Sequence, residues 1–252
     1  MNESGSQRRF QFSLRGLFVF VAVVSVVLAV VAVARKRQRE TMQVSCINRV
    51  KQIGLGLQGY HDANNCFPPA YIADANGKPM HSWRVLVLPF SCEYYLYRQY
   101  VFSEAWNGPN NRMIDRMISG SMLDEYRCPA AGDHNPTATS YVAVVGEQTM
   151  FPGTEPLSIR EVINHDGSSN TIMLLELADS DIHWMEPQDL TFDEAVAAFE
   201  GRPGAPELRD HPGGVVVGFA DGSVRVLSRE FLRDHGKAML TRAGGEKIPW
   251  PE

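Results

Sequence analysis

The sequence predicts an α+β protein in which an N-terminal transmembrane helix continues into a long helix packed on an antiparallel sheet. Three observations predict it. An uncharged stretch near the start is long enough to cross a bilayer. Apolar residues at helical spacing follow it. The second half carries short β-branched runs separated by turn dipeptides.

The first element is the anchor. Gly16 to Ala34 contains no charged residue and only one hydroxyl, Ser25. As a helix these residues span about 28 Å, close to the roughly 30 Å hydrocarbon core of a bilayer. Val is a modest helix former in water, but lipid tolerates no unpaired backbone, so the helix prevails there. Ala32-Val33-Ala34 before Arg35 has the small-x-small form of a signal cleavage site, so a removed leader is the competing reading. The chain divides accordingly into a basic tail (1–13), a transmembrane anchor (14–36) and an exported domain (37–252).

Charge supports this division. Residues 1–40 hold seven Lys/Arg and two acids. Of the 24 basic and 29 acidic residues in the whole chain, 17 and 27 remain for the rest, a balance of −10. An acidic body repels phosphate and excludes general nucleic-acid binding. Basic residues flank the apolar stretch on both sides, so flanking charge alone does not set orientation. The expected partners are the lipid bilayer, through Gly16 to Ala34, and unidentified proteins of the cell envelope.

Past the anchor, Val44, Ile47, Val50, Gly54, Leu57 and His61 recur at helical spacing, and Asn64-Asn65 ends the helix. Asp74 to Gly77 reads as a turn. Ser82 to Pro89 fits either a Ser-capped short helix or a buried strand. Asn107-Gly-Pro109 opens a helix running to about Ile118. Strands are expected at Tyr141–Val145, Thr171–Leu177, Val215–Ala220 and Ser223–Leu227. The last two are joined by Asp221-Gly222, read as a two-residue turn with positive φ at both positions. Asn164 to Gly167 is a further turn. Capping boxes start helices at Ser158 and Thr191, and a final helix covers Arg229 to His235 with Gly236 as its stop.

The four cysteines, Cys46, Cys66, Cys92 and Cys128, form no Cys-x-x-Cys pair, which argues against a zinc knuckle or thioredoxin motif. Two disulfides outside the cytoplasm and four inert thiols are the two readings. No nucleophile elbow, phosphate loop or dinucleotide fingerprint is present, so no enzymatic activity and no cofactor are expected. His211, Asp221, Glu176 and Asp181 are the candidate metal ligands. Each also has a structural explanation: Asp221 suits a turn, His211 precedes the loop Pro212-Gly213-Gly214, and Glu176 to His183 reads as a solvated acidic edge. The reading taken is that no metal binds. The aromatic run Phe90, Tyr94, Tyr95, Tyr97, Tyr100, Phe102 and Trp106 is read as packing on the sheet.

Several segments together carry a resemblance. Cys46 to Tyr71 (CINRVKQIGLGLQGYHDANNCFPPAY), Ser82 to Phe90 (SWRVLVLPF), Trp106 to Asn111, Tyr126 to Ala130, Asp166 to Glu176 and Trp184 to Ala195 are similar to a planctomycete-type pilin-like family of unknown function. The family ends in a His, nine residues and Asp-Gly, matched here by His211, Asp221 and Gly222. The resemblance implies a fold like that of type II secretion pseudopilins. It also implies a single pass through the inner membrane, with the N-terminus cytoplasmic and the domain extracytoplasmic. Where such proteins carry the Gly before the processing site and the Glu after it, this sequence has Gln11 and Gly16. An uncleaved anchor is therefore expected, which a mature protein starting at Phe12 would contradict. The resemblance suggests the pairs Cys46–Cys128 and Cys66–Cys92. The function expected is that of a membrane-anchored structural or interaction protein of the envelope, with an extracytoplasmic solute- or ligand-binding module as the alternative.

Overall fold

The computed structural model describes residues 14–91, 93–117, 124–131, 135–163 and 166–250. The basic tail with Gln11 and Phe12, together with Cys92, Ile118, Asn164 and His165, lies outside them. The chain divides into two units between Thr41 and Met42. The first helix, α1 (Leu14–Asn64), contributes to both.

In the first unit the apolar part of α1 is exposed on every side: none of it is buried, and it is long and apolar enough to cross a membrane. After it the surface turns polar. Lys36 and Glu40 pair at 3.9 Å across one turn, and the Thr41 hydroxyl donates to the Arg37 carbonyl at 2.9 Å.

In the second unit α1 buries Cys46, Val50, Ile53, Gly54, Gly56 and Leu57. Val50, Gly54 and Leu57 of the expected stripe are buried, whereas Val44 is exposed and Ile47 and His61 are half-buried. Only the start of the stripe is shifted, because Cys46, a small apolar side chain, occupies the first core position. The helix ends at Asn65, whose φ of 60° and N–H bond to the His61 carbonyl (2.7 Å) form a left-handed cap.

A short hairpin follows, β1 (Tyr71–Ala73) with β2 (Pro79–Ser82). Its turn is held by Asp74, whose Oδ1 accepts from the Asn76 and Lys78 N–H groups. The ambiguous Ser82 segment is a helix, α2 (Trp83–Val87), because Ser82 Oγ accepts from the Arg84 N–H. Helices α3 (Tyr94–Gln99) and α4 (Asn111–Met117) complete the middle of the chain.

The main sheet contains β3 (Tyr141–Val145), β4 (Ile172–Glu176), β5 (Leu190–Thr191), β6 (Val215–Phe219) and β7 (Val224–Leu227), in the order β5-β3-β4-β6-β7. All its pairings are antiparallel except the short β3–β5 edge. Helix α5 (Ile159–Ile163) precedes β4, while α6 (Phe192–Glu200) and α7 (Arg229–Leu240) follow β5 and β7.

Both faces of the sheet are covered. Tyr141, Ala143, Met173 and Val216 join Cys46, Val50, Ile53 and Leu57 of α1 in one core. Val142, Val144, Leu175, Val215 and Val217 join Phe199, Leu232 and Met239 in the other. The near-continuous burial of β3, β4 and β6 follows from this double cover.

Two terminations differ from expectation. Helix α7 runs through Gly236 to Leu240. Gly236 is buried where any side chain would collide with the Phe199 ring of α6, so this glycine serves close packing rather than a stop. In the β6–β7 hairpin, only Gly222 has positive φ (80°). The Gly222 N–H bonds the Phe219 carbonyl and the Phe219 N–H bonds that of Ser223, so the turn is one residue longer, with a glycine bulge.

Candidate metal centre

Four side chains from four segments converge inside the second unit. Cys46 comes from the inner face of α1, Cys128 from the segment before β3, Glu176 from the last position of β4, and His211 from the loop leading into β6. One ligand atom from each lies within 4.8 Å of the other three.

Each is fixed by its local backbone. The Cys128 N–H donates to Ser140 Oγ at 2.9 Å, tying it to the start of β3. Glu176 is placed by the β4 ladder, and residues 207–211 run alongside it. The Ala178 N–H bonds the Glu207 carbonyl at 2.8 Å, and the Arg209 N–H bonds that of Glu176 at 2.9 Å. That pairing delivers His211, whose N–H and C=O both bond Gly214. Gly214 has a φ of 137°, and a side chain there would strike the Leu227 carbonyl, so the loop requires glycine.

The cluster is dry. Cys46 and Glu176 are fully buried, and the His211 side chain is 3% exposed. His211 Nε2 lies 3.0 and 3.1 Å from the two Glu176 oxygens. Burial alone would lower the His211 pKa, but hydrogen bonding to Cys128 and Glu176 outweighs it and pushes the value up to about 9. The Cys128 thiol is held well above its ordinary range, first by hydrogen bonding with Cys46 and then by burial.

Around the cluster lies a second ring of contacts. Ala130 N–H donates to Cys128 Sγ at 3.3 Å. Arg209 Nε stands 3.6 Å from Glu176 Oε1, too far for a hydrogen bond, while Arg209 Nη1 donates to the Ala130 carbonyl at 3.0 Å. On α1, Gln43 donates to the Pro212 carbonyl at 2.7 Å, and Arg49 donates to that of Arg127. These residues, one turn either side of Cys46, tie the helix to the neighbours of His211 and Cys128.

Of the residues singled out in the sequence, the structure therefore unites Glu176, His211, Cys46 and Cys128. The sulfurs of Cys46 and Cys128 are neighbours but free thiols, as is half-buried Cys66, so no disulfide links the described cysteines. Cys92 lies outside the described residues. Asp221 and Asp181 are not part of the cluster. Asp221 is exposed and caps its own turn, its Oδ1 accepting from the Ser223 N–H at 2.8 Å. The tip of that turn touches α1 near Gly54, and Gln58 donates to the Ala220 carbonyl at 2.7 Å. The His-x9-Asp-Gly spacing thus spans β6, with one end at the tetrad and the other against α1. Asp181 borders a cleft of about 110 Å³ shared with Arg127, Asn135, Thr139 and Ser140. Solute pockets usually enclose several hundred Å³, so this cleft does not support the ligand-binding alternative.

A second buried polar centre escaped sequence reasoning. Arg84 and Asp189 form an ion pair at 2.5 Å with almost no exposure. Arg84 also donates to the Tyr141 carbonyl and Ser82 Oγ, and Asp189 accepts from the Ala143 N–H (2.7 Å) and the Trp83 indole (3.1 Å). Every contact is internal, so the pair welds α2 to β3.

The model of a family described as "Protein of unknown function (DUF1559)" matches residues 37–158. No curated protein and no solved structure matches the chain. The matched stretch includes Cys46, Arg84 and Cys128, whereas Glu176, Asp189, His211 and Asp221 lie beyond it. The chain is thus similar to an uncharacterised family from just after the apolar stretch of α1 to just before α5.

Proposed function

We propose that the protein is a pilin-like structural or interaction domain of the cell envelope, held to the inner membrane by one helix. One observation carries this reading: among the described residues, none covers the uncharged length of α1. Fully burying a single Val, Leu or Phe is worth about 1.5–3 kcal/mol, so such a helix is driven strongly out of water. The long helix laid on an antiparallel sheet supports the pilin-like comparison. The N-terminus is cytoplasmic and the second unit extracytoplasmic. The domain acts by display, offering its surface to other envelope proteins, and no reaction is assigned to it.

The test is fractionation together with topology reporters. The full-length protein should resist carbonate extraction from membranes. A C-terminal alkaline phosphatase fusion should be active and a C-terminal green fluorescent protein fusion dark. Recovery in the soluble fraction, or the opposite reporter pattern, would refute the reading.

A further inference from the structure

We propose that Cys46, Cys128, His211 and Glu176 form a structural zinc site, with Sγ, Sγ, Nε2 and one carboxylate oxygen as its four ligands. The ligand atoms lie within 4.8 Å of one another. Around tetrahedral zinc, bond lengths of about 2.0–2.3 Å put ligand atoms about 3.3–3.8 Å apart, so small side-chain shifts complete the geometry.

The chemistry of the set selects the ion. Two sulfurs and an imidazole favour zinc over calcium or magnesium, which take oxygen ligands. With two thiolates, one carboxylate and a neutral imidazole, the bound site carries one negative charge. The Arg209 guanidinium, 3.6 Å from Glu176, is placed to balance it.

Two further observations point to a thiolate centre. The Tyr141 hydroxyl is fully buried beside Cys46, Cys128 and Glu176, and among the described residues it makes no hydrogen bond of good geometry, with Cys46 within its reach. A poorly satisfied buried hydroxyl is costly, and a metal-bound thiolate or carboxylate supplies it with a strong acceptor. The Ala130 N–H already donates to Cys128 Sγ, the kind of contact that stabilises negative charge on sulfur.

All four positions are filled by protein in a buried setting, so the site is structural rather than catalytic. It joins α1, the segment before β3, the end of β4 and the entry to β6, and Gln43 and Arg49 also tie α1 to the second and last of these. The ion locks the long helix to the sheet, and this conclusion does not depend on the membrane anchor.

The experiment uses the full-length chain in detergent, reduced, supplied with zinc, freed of excess ion and analysed by elemental mass spectrometry. About one zinc per chain is expected, retained in Cys66→Ser and Asp221→Asn and lost in Cys46→Ser and His211→Ala. Cobalt substitution of the unmutated protein should give sulfur-to-metal charge-transfer absorption and tetrahedral visible bands, a readout independent of how well the variants fold. Failure of the reduced protein to take up zinc, zinc retained in both Cys46→Ser and His211→Ala, or cobalt spectra without sulfur ligation would each overturn the proposal. The first result, combined with a Cys46–Cys128 disulfide in the protein as isolated, would assign the two sulfurs to a covalent link instead.

Discussion

At the scale of single residues, Arg84 and Asp189 show how burial raises the stakes of a polar contact. Asp189 serves Arg84, the Ala143 N–H and the Trp83 indole at once. Asp189→Ala leaves a buried guanidinium without its counter-charge and two N–H groups without their acceptor, and should cost about 3–5 kcal/mol in denaturant unfolding. Replacing both partners by apolar residues, Arg84→Met with Asp189→Leu, removes the lone charge but still orphans the N–H groups. The double variant should recover only part of the loss, leaving about 2 kcal/mol; full recovery would mean the backbone contacts contribute nothing. Glu125 is a second carboxyl that burial holds toward its protonated form. Burial, and secondly Glu93, pushes its pKa up to about 7. The folded state therefore holds this proton more tightly than the unfolded chain. The stability contribution is fully present below the ordinary value of 4.5 and is lost as pH rises through about 7. Glu125→Gln, which mimics the protonated form, should match the parent at pH 4 and exceed it by about 3 kcal/mol at pH 8. Equal pH profiles for the two proteins would rule out a raised pKa.

At the scale of elements, packing depends on where side chains are missing. A Cβ at Gly218 of β6 would lie 2.9 Å from Val50 Cγ1 and 3.2 Å from Leu174 Cβ, so α1 seats Val50 in the gap that Gly218 leaves. Gly218→Ala overfills this contact and should destabilise by about 1–3 kcal/mol. Adding Val50→Ala makes room, so the pair should be less damaging than the sum of the two single changes; strict additivity would show that the helix does not press on the strand there. The sequence discloses elements far better than it discloses such contacts. The strands Tyr141–Val145 and Thr171–Leu177, and the capped starts at Ser158 and Thr191, are signalled locally by β-branched runs and short polar caps, and they form, whereas Ser82 to Pro89 fits helix and strand equally and the Ser82 cap decides for helix. Gly236 misleads because a helix stop and a close helix crossing both select glycine, and only the neighbouring Phe199 distinguishes them. The buried face of α1 is legible in part: Val50, Gly54 and Leu57 are buried as their spacing predicts, whereas Cys46 rather than Val44 fills the first core position. The Cys46–Cys128–Glu176–His211 tetrad has no local signature at all. Its ligands come one from each of four segments, and the suggested pairing of Cys46 with Cys128 captures only half of it.

At the scale of the whole molecule, the chain consists of two units with different solvent requirements. The unit from Met42 onward has its own cores on both sides of a sheet, whereas the apolar part of α1 has none. Changes in the apolar helix should therefore alter where the protein resides without altering how the second unit folds. Val24 and Val27 lie near the middle of the uncharged stretch, where each Arg adds about 2.5–3.5 kcal/mol to the cost of membrane insertion. Val24→Arg with Val27→Arg should abolish carbonate-resistant membrane association, while Val24→Ala with Val27→Ala should retain most of it. Near-ultraviolet circular dichroism should be unchanged in both, because Trp83, Tyr126, Tyr141 and Trp184 all belong to the second unit and remain buried there. If the double-Arg protein still resisted extraction, the second unit would have to hold the membrane itself. An acidic body with net charge −10 would have to do so against the electrostatic repulsion of anionic lipid, so that outcome would move the search for the attachment from α1 to a protein partner already in the membrane.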